Sequence, residues 1–297
     1  MRILAIDSSA GAASAAIRED GKRLGEFFTN TRLTHSQTLM PMIGGVLDCA
    51  RISLDSIDLF AVSAGPGSFT GVRIGVASVK GLAMAQRKPC VGVSTLEAMA
   101  HNLAHVDGWI CAVMDARCGQ VYNALFRAQE GTITRITEDR ALAIVDLVAE
   151  LEQLERQKSL FLVGDGAKLC YNNERLRVLG AQLPPESLLY QTAWGVAEVA
   201  EGLYKRGETL TAAALAPVYL RMPQAEREKT GRLLKCSRKG NQDEEETTCQ
   251  HTFSCASADV QLGAFCFCSR GWVECCRGFD CPTGAGKQLG AGQGGYS

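Results

Sequence analysis

Apolar and polar positions along this chain form two similar blocks, and then the pattern stops. Residues 2–7 are a short apolar run ending on an acid and read as a strand. Strands at 12–19 and 23–29 follow, with Gly21 between them where a hairpin turn needs it. Leu39, Ile43, Val46, Leu47 and Ala50 recur at three- and four-residue steps, which predicts a helix over 36–50 with one apolar face. The unbroken run from Leu59 to Ala64 reads as a buried strand. Gly65-Pro66-Gly67 then turns the chain, and Ser68 or Thr70 caps a helix running toward Gln86. A strand at 90–93 and a helix at 95–104 complete the block.

The pattern restarts with an apolar strand at 109–115 that again ends on an acid. Strands at 120–127 and 132–137, a helix at 143–155, a strand at 160–163 before Gly164-Asp165-Gly166, and a helix at 193–206 follow. Two runs of three strands and then helix–strand–helix predict a duplicated α/β unit. The expected divisions are 1–107, 108–225 and 226–297. In the third, the run Asp243-Glu244-Glu245-Glu246, eleven glycines and eight cysteines come without sustained periodicity, a composition that predicts poor order.

Composition narrows the function classes. Net charge is −1, so bulk electrostatics gives no reason to expect direct nucleic-acid binding. No apolar run reaches the roughly 18 residues needed to span a bilayer. The N-terminus turns acidic too soon for a secretory signal, so a cytoplasmic location is the simplest expectation. Cys49, Cys90, Cys111, Cys118 and Cys170 show no pairing pattern and read as reduced, small hydrophobes. The tail cysteines contain no Cys-x-x-Cys pair, which argues against a zinc module.

The candidate chemistry starts at the glycine turn. Glycine at 65 and 67 permits close approach to the backbone, and a strand, a turn and a helix N-terminus aim N–H groups at one spot that suits an anion. Ser68 and Thr70 are not in Gly-x-Ser-x-Gly and have no assignable base, so they read as helix caps. His101 and His105 are four apart but lack the glutamate of His-Glu-x-x-His, and read as surface residues at a helix end.

Six segments together resemble one family. They are Asp7-Ser8-Ser9, His35-Ser36-Gln37, the stretch from Gly65 to Gly75, the stretch from Asp115 to Tyr122, Gly164-Asp165-Gly166, and Pro217-Val218-Tyr219-Leu220-Arg221. Their order resembles the TsaB family of bacterial tRNA threonylcarbamoyladenosine biosynthesis proteins over about residues 1–228. The resemblance implies an α/β fold of two tandem actin-like (ribonuclease H-like) halves, each a mixed sheet flanked by helices, with an irregular tail. It also implies work with a TsaD-like paralogue and a TsaE-like ATPase. In that system a threonylcarbamoyl group passes to N6 of the adenosine beside the anticodon, and TsaD carries the catalytic site.

Active relatives of the wider superfamily resemble Asp-x-Gly-x-Thr/Ser where this chain has Asp7-Ser8-Ser9-Ala10. Asp7 is either an anchor for a hydrated Mg²⁺ or the end of a strand bonding its own turn. Asp7, Ser9, Gly65 and Gly67 are therefore the candidate remnants of phosphate loops. TsaD-like proteins resemble Gly-Val-x-His-x-x-x-His where this chain has Thr95 and Met99, and a hydroxyl and a thioether do not replace two imidazoles. No catalytic residue, metal or cofactor is expected in the chain alone, with ATP/ADP and metal on the partner subunits. The two first-half helices carry more apolar surface than one stripe and are either core or interface. The resemblance favours contact with TsaD or a second copy, through His35, Leu39, Met40, Ile43, Leu47, Arg73, Val76, Val79, Lys80 and Ala83. It implies a homodimer when alone, tRNA met through the complex, and no membrane. The alternative is an ATP-binding kinase or ATPase of the same fold.

Overall fold

The computed structural model describes residues 1–31, 33–155, 158–221, 265–268 and 271–274. Those up to 221 belong to one compact unit, and the two short strands beyond belong to another.

The chain opens with an antiparallel meander, β1 (Arg2–Asp7), β2 (Ala13–Glu19) and β3 (Lys22–Thr29). Helix α1 (His35–Ala50) leads to β4 (Leu59–Gly65), helix α2 (Phe69–Gln86), β5 (Cys90–Ser94) and helix α3 (Thr95–His101). β4 is parallel to β1 and β5 to β4, giving a five-stranded mixed sheet in the order β3-β2-β1-β4-β5. The second sheet contains β6 (Gly108–Asp115), β7 (Gln120–Gln129), β8 (Thr132–Arg135), β9 (Arg140–Ala143) and, after helix α4 (Ile144–Leu151), β10 (Ser159–Val163). Its order is β10-β6-β7-β8, with β9 also paired to β7. Helices α5 (Ala167–Tyr171), α6 (Glu174–Val178), α7 (Glu186–Leu189) and α8 (Ala193–Lys205) follow.

Strands β1 and β4 are apolar on both faces because both faces are covered. Leu4, Ile6, Phe60 and Val62 pack beneath α1 and α2. Ile3, Ala5, Leu59 and Ala61 face Ala193, Val196, Ala197 and Ala200 of α8. Although α8 comes last, it lies on the first sheet, where Arg18 of β2 pairs with Glu198 and Glu201. α3 contributes to both sheets: Ala98 joins the first core, while Leu96 and Met99 pack with Ile110, Ala112 and Phe126 of the second.

The fold is the expected α/β architecture of two mixed sheets flanked by helices. Its departures from the sequence pattern are local. The single strand expected at 132–137 ends at Arg135, and the chain turns into β9 after Asp139 ion-pairs with Arg135 at 2.6 Å. The helix expected over 143–155 is Ile144–Leu151, and that over 95–104 is Thr95–His101. Helices α5, α6 and α7 span four or five residues, too short to show a helical period. The expectation of an unordered tail lies largely outside the described residues. Within that stretch β11 (Phe265–Cys268) pairs antiparallel with β12 (Gly271–Glu274), where no strand was expected. Phe265, Phe267, Trp272 and Val273 are strand-favouring residues in runs too short to stand out.

Candidate functional site

Asp7 closes β1 at the carboxyl end of the first sheet, where open α/β sheets place their crevice. The crevice is a cleft of about 390 Å³ between the two sheets. One wall is Ser9, Ala10, Gly11, Gly67, Ser68 and Phe69. The other is Met114, Asp115, Ala116, Arg117, Tyr122 and Asp165, and Val218 to Arg221 lie across the mouth.

Asp7 is fully buried and bonded to its own surroundings. Oδ1 accepts from the Ser9 backbone N–H at 2.9 Å and from Ser9 Oγ at 2.8 Å, and Oδ2 accepts from Ser63 Oγ. Burial pushes its carboxyl above the usual range, against the opposing pull of Ser63 and Ser9. The close approach that glycines permit is made by the same turn. A Cβ on Gly67 would strike the Ser9 carbonyl, one on Gly71 the Ser8 carbonyl, and one on Gly75 would sit 2.6 Å from Ser8 Oγ. The Ser68 N–H donates to the Ser9 carbonyl at 2.6 Å, and Ser8 Oγ donates to the Gly71 carbonyl at 2.9 Å. Gly65, at φ +130°, faces the Val218 carbonyl, and the Val218 N–H donates to Ala64 O at 2.7 Å. At the N-terminus of α2, Ser68 supplies the cap: its Oγ accepts from Gly71 N–H at 3.3 Å.

The facing wall adds acids that sequence reasoning used only as family marks. Asp165 lines the cleft with its side chain open to solvent, yet the surrounding protein desolvates it and pushes its carboxyl up to about 6, opposed by a 3.0 Å hydrogen bond from Gln191 and reinforced by the charges of Asp115 and Asp7. Asp115 accepts from the Arg117 N–H at 2.7 Å and pairs with its guanidinium at 3.4 Å. Arg117, Cys118 and Gly119 are consecutive left-handed residues in this turn, a conformation costly for the first two. The signal that finds these acids is positional. Asp115 ends β6 as Asp7 ends β1, and Asp165 follows β10. Thr95 and Met99, which stand in for the histidines, are fully buried, and Met99 Sδ lies beside Gly164. Burial lowers the His101 imidazole, while His105 is exposed.

The structure splits the expected interface residues. Leu39, Ile43 and Leu47 of α1 and Val76, Val79 and Ala83 of α2 are buried in the core beneath the first sheet. Their assignment to a partner surface is corrected: the helical stripe they form is the face that packs on this chain's own strands. Lys80 is half-buried, its Nζ donating to the carbonyls of Ala213 at 3.2 Å and Leu215 at 2.9 Å. His35 Nε2 donates to the Ala10 carbonyl at 2.6 Å, pinning α1 to the β1–β2 turn. Met40 (48 %) and Arg73 are exposed. Phe28, Leu33 and Met84 are exposed as well, although the periodicity of the core stripe did not select them.

The family model for TsaD, tRNA N6-adenosine threonylcarbamoyltransferase, matches residues 29–180. The tRNA threonylcarbamoyladenosine biosynthesis protein TsaB of Escherichia coli is 34% identical over 224 residues, covering 74% of this chain and 95% of its own length. This chain belongs to the TsaB family. The Haemophilus influenzae TsaB is 28% identical over 74% of this chain and 94% of its own. Among solved structures, a Pseudomonas aeruginosa protein described as similar to peptidase YeaZ superposes with a TM-score of 0.63. It is 29% identical and covers 74% of this chain and 99% of its own. The TsaB-family segments that run from Gly65 to Gly75 and from Pro217 to Arg221 meet at the cleft mouth through Gly65 and Val218. No helix among the described residues is long and apolar enough to cross a membrane.

Proposed function

We propose that this TsaB-family chain is a non-catalytic partner subunit in threonylcarbamoyl transfer to N6 of the adenosine beside the tRNA anticodon. It acts with a TsaD-like paralogue, which supplies the catalytic site, and a TsaE-like ATPase. ATP/ADP and metal reside on those partners, tRNA is met through the complex, and the chain pairs with itself when alone. The observation that carries this reading is the first loop. Asp7 is occupied by Ser9 and Ser63, and Gly67 lies against Ser9. The hydrogen-bonding capacity of Asp7 and the close approach at Gly67 are used within the chain itself. Asp7, Ser9, Gly65 and Gly67 then act as packing residues that seat α2, and partner contact falls to exposed residues such as Met40 and Arg73.

Co-purification with a TsaD-type protein tests the reading. Met40→Glu adds a charge to an exposed position, so it changes stability by no more than about 0.5 kcal/mol but abolishes the complex. A complex that forms equally well with Met40→Glu places the interface elsewhere. A second reading, an ATP-binding kinase or ATPase, draws on the carboxylates of Asp115 and Asp165 in the cleft. Steady ATP turnover by the purified single chain would establish it.

A further inference from the structure

Arg73 is held in place before anything binds to it. On α2 it stands one turn after Phe69, and its guanidinium stacks 3.8 Å from the Phe69 ring centre. Its Nε donates to the Tyr219 hydroxyl at 2.8 Å, and the Phe69 and Tyr219 rings lie 4.7 Å apart. Tyr219 itself is fixed on either side. Val218 N–H bonds Ala64 O at 2.7 Å, and Arg221 Nη1 bonds Ala116 O at 2.5 Å. Further back, Leu215 is buried and its carbonyl takes Lys80. Gly65 lets the Val218 carbonyl lie against the end of β4, so the glycine turn sets where Tyr219 falls. Yet Arg73 is exposed, and among the described residues its contacts are with Phe69 and Tyr219 and with no carboxylate. The structure has ordered a long, charged side chain and left its charge unanswered.

We infer that Arg73 is a preorganised anchor for a carboxylate side chain on the partner subunit, with Tyr219 as its positioning residue. This rests on the partner reading above. A guanidinium presents a planar fork that matches a carboxylate with two parallel hydrogen bonds, and fixing it beforehand removes the ordering cost that an exposed arginine normally meets on binding. The planar fork favours a carboxylate over a phosphate, and several of the neighbouring donors that would share a phosphate are already spent. The N–H groups of Gly71 and Val72 go to Ser68, and Lys80 goes to Ala213 and Leu215.

The test is the dissociation constant between the full chain and a TsaD-type partner, measured across a salt series. Arg73→Ala and Arg73→Lys each weaken binding by about tenfold or more, because an ammonium cannot replace the fork. Tyr219→Phe keeps the ring, loses the hydroxyl and weakens binding by about threefold. Tyr219→Ala approaches the Arg73→Ala value, and the double variant is no weaker than Arg73→Ala alone. The Arg73 variants also flatten the salt dependence, while their stability falls by no more than about 1 kcal/mol, the worth of an exposed stack on Phe69. Wild-type affinity for Arg73→Ala, an undiminished salt dependence, or fully additive losses in the double variant overturns the inference. Specific competition by inorganic phosphate, beyond its ionic strength, assigns the site to phosphate and also overturns it. Failure of the wild-type chain to bind any TsaD-type partner overturns the partner reading, and this inference with it.

Discussion

Asp165 shows how one residue carries a cost at the cleft. Its carboxyl is pushed up to about 6 from 3.8 because the cleft desolvates the charge and Asp115 and Asp7 add to it. The unfolded chain therefore releases this proton first. The cost is absent below 3.8, grows as pH rises through that window, and is fully present above about 6, and solvent in the open cleft screens it to a modest size. Asp7, also raised by burial, pulls in the same direction. Asp165→Asn keeps an acceptor for Gln191 and removes the charge, so its melting temperature exceeds wild type at about pH 7.5 and converges with it toward about pH 4. Equal melting at both values contradicts this account of the cleft. The identity of Asp165 is plain in Gly164-Asp165-Gly166, but its shift depends on Gln191 and Asp115, which reach it from other elements. At this scale chemistry was legible only where a residue type settles it alone, as with Thr95 and Met99 in place of histidines.

Helix α2 separates what periodicity reveals from what it hides. Its apolar repeats found Val72, Val76, Val79 and Ala83, and these are the residues that face the sheet. For the same reason they are not a partner surface: a sustained stripe marks the side with the most continuous neighbour, which is the chain's own core. Candidates for association are the apolar residues off the stripe, such as Met40 and Met84, and these become visible once burial is known. The glycines along α2 divide likewise. A Cβ on Gly71 collides with the Ser8 carbonyl, so Gly71→Ala lowers stability by about 1–3 kcal/mol. A Cβ on Gly81 meets nothing within 4 Å, so Gly81→Ala raises stability by about 0.5–1 kcal/mol through helix propensity. Chemical denaturation of both variants checks the pair, and a matching sign for the two contradicts the packing role assigned to the Ser8–Ser9 turn. The long elements were readable because their periods repeat several times. Helices α5 to α7 were not, because one turn carries no period.

At the scale of the whole molecule, the two sheets are tied together by elements that ignore chain order. α8 returns to the first sheet, and α3 packs on both. Ser94 and Glu97 at the start of α3 reach Asp139 and Arg135 of the second sheet, at 2.6 and 2.7 Å. Thr192 and Tyr190, just before α8, bond Asn102. These long-range ties could not be read from a linear pattern, whereas the duplicated strand order could. The ties frame a cleft whose first loop bonds within itself, and the proposed function moves its weight from the cleft to the exposed residues of the helices beside it. That transfer is the central claim, and reconstitution tests it most directly. Threonylcarbamoyladenosine formed on tRNA is measured with TsaD-type and TsaE-type proteins, in the presence and absence of this chain. The account predicts modification only when the chain is present. Equal modification without it contradicts the account.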